Sequence, residues 1–412
     1  MVKLSRYILV LIGIMAASIA IPQIYWTIFR EAPSVPNVVY SRVLDEFMMV
    51  AREDGVLVRK DEHGNIYSRD EFEAKLPLLF FRQLFATGDM PDTIKGRHMD
   101  HAELSTYSSN FTLRPVDMNT PEPVLLPLLE AQSGRVSLAL PEDFFRLSDR
   151  IEFIVAETNR VDREKSDKFN EALIREGFAF PARLTGGLPT DRKNEEEGYF
   201  IKDNNGDLFH LMMIRGEPYV ARIDIPAQME IVHIECVDIA TREYYAFLFS
   251  EGNEIYLLMQ DGYQLQKLPA DGYDPKNHRL RVREDVLHKT ISIIGDDHLQ
   301  VTVVDDKYEV VDTYSHQWDP LHLQADHILF GWLFPFQLNL QVPESRFVTL
   351  NIFRSPHYFW MLTNLVLVGV SVGLLKRKNR CFKKNLIDLG IVLLTGVFGF
   401  IATRVFPNRF YD

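Results

Sequence analysis

The apolar residues of this chain fall into two patterns. Near the ends they run unbroken; between the ends they alternate with polar ones. Residues 7–29 carry no charge over 23 positions, residues 358–375 carry none over 18, and residues 386–405 form a third apolar run with one acid, Asp388, near its start. A helix rises about 1.5 Å per residue, so each run suits a hydrocarbon core of about 30 Å. The pattern predicts three transmembrane helices, within residues 1–29, 357–375 and 386–405. The rings of Tyr358, Phe359 and Trp360 suit the headgroup level. In the loop 376–385, six of the nine residues from Lys376 to Lys384 are basic. So positive a loop belongs in the cytoplasm, and Lys3 and Arg6 hold the N-terminus there too. Three crossings then place residues 30–356 and the tail, 406–412, on the exported side. The first run also reads as a signal peptide, with Ser18-Ile19-Ala20 as a small-residue cleavage site. Its continuation through Tyr25 and Trp26 favours an uncleaved anchor.

Between the ends, residues 30–195 read as mixed α/β. Helical spacing is expected over 38–52, over 72–85 with an interruption at Pro77, and over 166–176 with Gly177 as a stop. Residues 183–197, Gly-rich and then charged, read as a loop. The subregion 196–356 reads as antiparallel β. Three three-stranded meanders are expected, at 199–225, 244–268 and 289–313, with tight turns at Gly206, Gly252 and Gly295. These glycines lie 46 and 43 residues apart, a period that fits a propeller blade. An ordinary meander sandwich fits as well. Asp61-Glu62-His63-Gly64-Asn65-Ile66-Tyr67 is a fourth, partial match, and in a propeller it would bring an N-terminal strand onto the last blade. The expected fold is thus a membrane-anchored protein with a large β-rich α+β exported domain.

Charge sharpens the division. The whole chain carries −12, but residues 30–356 hold 55 acids against 35 bases, a net of −20. Such a field repels phosphate, so nucleic acid is excluded as a partner of the exported domain. The two cysteines, Cys236 and Cys381, fall on opposite sides of the expected membrane and cannot pair within the chain. Stability must come from core burial.

Candidate chemistry is sparse. His98 and His101, three apart with Met99 and Asp100 between, could share a helical face as copper or zinc ligands, although a polar surface loop explains them as well. His316, His322 and His327 form a second dense group beside the aromatic stretch 330–336, which could dip into headgroups or pack on a partner. Asp203-Asn204-Asn205-Gly206-Asp207 fails as a calcium loop: glycine comes fourth instead of sixth, and Ile214 stands where the bidentate acid belongs. It reads as a hairpin turn. P-loop, dinucleotide, zinc-protease and nucleophile-elbow signatures are missing, and nothing points to a cofactor. Two carboxylates could still meet in the fold as a glycosidase pair. Within the membrane segments, Gly369 and Gly373 form a small-xxx-small pair, and Gly390, Gly396 and Gly399 make the third segment small-faced, suiting close packing within the hairpin or against another subunit. Asn364 is expected to hydrogen-bond across a helix interface.

Six segments carry a family resemblance: Asp61 to Tyr67, Lys75-Leu76-Pro77-Leu78, Arg82-Gln83-Leu84, Met90-Pro91-Asp92-Thr93-Ile94, Leu188 to Lys193, and Glu197-Gly198-Tyr199-Phe200. With the three-crossing layout, the chain resembles a bacterial membrane family catalogued only as a domain of unknown function. That resemblance implies an envelope protein whose relatives are encoded beside ABC-transporter components, and it brings no functional residues. The expectation is an accessory protein of the inner membrane, its main domain periplasmic, partnered with the membrane and an ABC-transporter permease subunit. The rival is an envelope hydrolase or metal-binding protein using carboxylates or histidines.

Overall fold

The computed structural model describes residues 2–29, 35–53, 55–121, 123–132, 134, 137–319, 323–342, 345–355, 357–378, 380 and 382–408. The fold is mixed α+β and strand-rich. It divides into a strand-rich unit, Pro36–Gly295 with Leu299–His316, and a mostly helical unit, Met1–Val35 with Asp296–His298 and Gln317–Asp412.

The three meanders of the strand-rich unit form as expected, and each gains a strand before it. Leu184–Gly187 precedes Tyr199–Lys202, Leu208–Ile214 and Glu217–Ile223; Ile231–Cys236 precedes Tyr244–Ser250, Ile255–Met259 and Leu265–Lys267; Arg279–Glu284 precedes Lys289–Ile294, His298–Val304 and Val310–Gln317. Two three-stranded sheets join them: Asn37–Ser41, Glu46–Glu53 and Val56–Asp61, then Asp143–Leu147, Ile151–Val155 and Arg160–Asp162. Neighbouring sheets pack face to face, and the period of two decides which residue meets which neighbour. Tyr199 and Ile201 face Phe145, Phe153 and the helix residues Phe169 and Leu173, while Phe200 points the other way, toward Ile234 and Leu248. Phe247 and Phe249 then reach Leu280, Val282 and Ile291 of the next sheet. With both faces buried, these strands read as near-continuous apolar runs.

One hairpin geometry recurs four times. Asp61, Asp203 and Asp305 each accept backbone N–H bonds from the residues two and four places on. Ser250 Oγ accepts the one four places on. The fourth residue of each loop, Gly64, Gly206, Asn253 or Tyr308, has a positive φ. Gly206 fits the expectation. At the second turn the left-handed residue is Asn253 and not Gly252, and Gly295 has no positive φ. A second expectation also changes: residues 38–52 are strands, not a helix. The runs Val38-Val39-Tyr40 and Phe47-Met48-Met49-Val50 are contiguous and bury both faces, and Asp45 takes a left-handed turn between them. The strand that closes onto the last sheet is Ser109–Leu113, paired with Arg279–Glu284, and not the Asp61 segment.

The expected helices appear as Arg69–Lys75 and Phe81–Thr87, split around Pro77, and Arg163–Arg175. The first begins with a capping box of Ser68 and Glu71.

The helical unit departs further from expectation. Leu4–Phe29 and Trp360–Arg377 are long and apolar enough to cross a membrane. The third segment is not a span. It divides into Leu386–Thr395 and Val397–Val405, which double back on each other as an antiparallel hairpin. Gly396 makes the reversal with φ +58° and ψ −129°. A Cβ on Gly399 would lie 3.0 Å from the Ile391 carbonyl oxygen, an approach that a continuous helix cannot give to residues eight apart. At about 1.5 Å per residue each arm reaches only about half a bilayer core. The described chain therefore ends where the hairpin began: Asn408 Nδ2 donates to the Lys384 carbonyl at 3.1 Å. This corrects the expected placement of the tail opposite the basic loop, as far as Asn408; residues 409–412 lie outside the described residues.

Candidate functional site

The described histidines do not assemble as ligands. His98 is exposed in a two-stranded ladder opposite Thr93. His101 opens the helix His101–Tyr107, its ring edge-on to Phe81 and Phe85 at 5.5 and 5.3 Å. His316 lies in the edge strand Val310–Gln317, and His322 lies outside the described residues. His327 rests on Trp26, ring centres 4.6 Å apart. Among the described residues, no group of three His, Cys, Asp or Glu side chains could hold a metal ion. The aromatic stretch packs within its own unit, Phe330 stacking on Trp26 and Phe334 on Phe398.

Polar groups that the sequence did not single out are buried in the strand-rich unit. Glu284 accepts hydrogen bonds from Ser109 Oγ at 2.8 Å and Tyr244 Oη at 2.9 Å, tying the closing strand to its sheet and to the sheet beside it. Burial raises its pKa, against the pull of the Lys289 charge and these two hydroxyls. Glu243 receives Lys289 Nζ at 3.0 Å and Tyr308 Oη at 2.5 Å. Lys289 pairs with Glu243 and its charge also acts on Glu284, and each acid is held by donors that fix the architecture. His210 is fully buried and stacks on Phe200 at 4.3 Å. Its Nε2 lies 2.5 Å from the Glu197 carbonyl and its Nδ1 2.8 Å from Tyr263 Oη. A carbonyl only accepts, so these partners assign the proton to Nε2. Burial lowers the His210 pKa to about 4.

An open cleft of about 600 Å³ passes Ser108, Asn110, Thr190, Arg192, Cys236 and Asp238. Beside it Lys193 and Glu196 form a 2.9 Å ion pair with both side chains nearly inaccessible. Burial pushes the Cys236 thiol far above its ordinary pKa, so it stays protonated and is a poor nucleophile.

The helical unit holds a second polar centre. Arg6, on the first helix, grips Asp388 with two parallel bonds of 2.9 and 2.6 Å and donates from Nε to the Phe406 carbonyl at 2.9 Å. One guanidinium thus fastens both ends of the helical hairpin. Asn364 Nδ2 donates to the Leu393 carbonyl at 2.8 Å near the hairpin's apex, the interhelical bond expected of it. Gly396 and Gly399 lie at close approaches inside the unit, whereas a Cβ added at Gly369, Gly373 or Gly390 would meet no atom within 4 Å.

Residues 37–304 match the family described as a domain of unknown function (DUF4857). The chain belongs to this family. The DUF4857 match runs from the first strand through His298–Val304 and stops before the helical unit resumes at Gln317. No curated protein matches the chain. Among solved structures it is similar to the β-propeller domain of Cps50 (Swd1) from Myceliophteria thermophila, at 11% identity, 49% of this chain, 58% of that one and a TM-score of 0.26. It is also similar to the Dos1 propeller, at 12% identity, 70% of this chain, 63% of that one and a TM-score of 0.25. The chain spans less than two thirds of either structure's length.

Proposed function

We propose that this protein is an accessory subunit anchored in a bacterial inner membrane, which presents its acidic, propeller-like unit on the periplasmic side and works with an ABC-type transport complex. One observation carries the reading: the helical unit exceeds what anchoring needs. A single helix holds a domain at a membrane. Here two span-length helices are accompanied by a half-depth hairpin fastened through Arg6, while a Cβ added at Gly369 or Gly373 would meet nothing within 4 Å. Small residues let a foreign helix approach closely, and lipid does not reproduce that packing. The six basic residues from Lys376 to Lys384 set the loop, and with it the N-terminus and the hairpin's open end, in the cytoplasm. The hydrolase or metal-binding reading draws no comparable support, since Glu243 and Glu284 are held by structural donors.

The test is co-purification of the tagged full chain from native membranes in mild detergent. A transporter permease subunit should accompany the wild type, and Gly369→Leu with Gly373→Leu should abolish its recovery without changing the melting of the strand-rich unit. A wild type that brings down no transporter subunit, or a double variant that keeps it, overturns the reading.

A further inference from the structure

A cavity of about 310 Å³ lies in the helical unit, between the end of Trp360–Arg377 and the open end of the helical hairpin. Lys378, Arg380, Arg404, Asn385, Asn408 and Ser371 line it, with Leu375, Leu389 and Val392 on its apolar wall. Asp388 also borders it, but both its oxygens are taken by Arg6. That leaves the side chains of Lys378 and Arg404 as the cations the cavity can offer a ligand. Two of its lining residues carry an orphaned polar atom: Arg404 Nε and Ser371 Oγ are buried without a hydrogen-bond partner, and Ser371 is only 4% exposed. Buried polar groups are nearly always paired, and an orphaned donor is costly. A guanidinium and a hydroxyl lining one cavity, with the Lys378 ammonium at its rim, suit the oxygens of a phosphate. The cavity opens at the level of the basic loop, where the headgroups of an anionic leaflet lie, and its apolar wall suits the glycerol and first methylenes behind such a headgroup.

We propose that this cavity binds the phosphodiester headgroup of an anionic phospholipid, with Arg404 and Ser371 as its direct donors and Lys378 supplying field. Pairing the cationic open end of the hairpin with a lipid phosphate would fasten the hairpin to one leaflet.

The experiment uses the full chain in nanodiscs of phosphatidylcholine alone or of phosphatidylcholine with phosphatidylglycerol. Native mass spectrometry reads retained lipid, and thermal unfolding reads stabilisation. The wild type should retain phosphatidylglycerol and melt higher when it is present. Arg404→Gln and Ser371→Ala should each weaken retention about tenfold, while Lys383→Gln, which alters the same loop outside the cavity, should leave it unchanged. If Arg404→Gln does not fold, Lys378→Gln, at an exposed position, should lower retention severalfold. Equal retention in wild type and cavity variants overturns the proposal. So does an equal loss in Lys383→Gln, which would mark diffuse surface attraction, or full stabilisation by inorganic phosphate in neutral detergent, which would mark a free-phosphate site.

Discussion

Asp61 shows how much one side chain can set. Its carboxylate accepts from the backbone of His63 and Asn65, from Asn65 Nδ2 and from Tyr67 Oη. Burial would push its pKa up, but these donors prevail and hold it at about 2. A depressed carboxylate stabilises the fold above its unfolded pKa near 3.8, and that contribution is lost as pH falls toward 2. His210, depressed to about 4, works the same way in a higher window: held neutral in the fold, it resists the protonation that the unfolded chain accepts near 6.5. Stability of the strand-rich unit should therefore fall from pH 6.5 to 4, and His210→Gln should flatten that slope while lowering the plateau; an unaltered slope would contradict it. Asp61→Ala should cost about 1–3 kcal/mol at neutral pH in denaturant unfolding. The same loop geometry separates two glycines. Gly206, at φ +93°, sits further into positive φ than Asn253 or Tyr308 at the same place, and the β-branched Gly206→Val should cost about 1–3 kcal/mol, whereas Gly252→Ala should change little because Asn253 takes the left-handed position. The Gly206 turn was legible because one glycine follows two asparagines. At 250–254 glycine and asparagine are adjacent and either can go left-handed; the bond from Ser250 N to the Glu254 carbonyl selects Asn253, and pairing of that kind is not written in the local sequence.

At the scale of elements, strands with both faces buried and helices diverge in how plainly they announce themselves. The meanders from Tyr199 to Gln317 were legible because their apolar runs are short and punctuated by turns. The hairpin over 37–53 was not, because its apolar positions match a helical period by accident and the deciding fact is burial on both sides. The pair Leu386–Thr395 and Val397–Val405 gives the sharper case. Twenty mostly apolar residues look like a span, and Gly396 is the residue that makes them two half-spans. A Cβ there would lie 2.2 Å from Asn364 Oδ1, in a backbone conformation that non-glycine residues rarely adopt. Gly396→Val should destabilise the detergent-solubilised protein by about 2 kcal/mol or more. Asn364→Leu should cost less, since it removes one interhelical bond and also an amide oxygen that has no partner. Equal melting of Gly396→Val and wild type would mean that the reversal is made elsewhere.

For the whole molecule, the decisive contact joins residues 382 positions apart, Arg6 and Asp388, and no local pattern could have announced it. In the sequence each end of the chain gives its side of the membrane by its own charges, and counting three spans puts the tail opposite the basic loop. The ion pair and the Asn408–Lys384 bond change the count, bringing the open end of the hairpin back to the basic loop. Two measurements follow. Arg6→Leu should cost about 3–5 kcal/mol, because it strands a buried carboxylate, and adding Asp388→Leu should recover most of the loss, as expected of a buried pair replaced by apolar side chains. A protease-cleavable tag fused after the last residue should resist external protease in intact spheroplasts and become sensitive on lysis. Three full crossings would give the reverse. Cleavage before lysis would return the third segment to a span and would also sever the cavity at Arg404 from the leaflet whose headgroups are proposed to fill it.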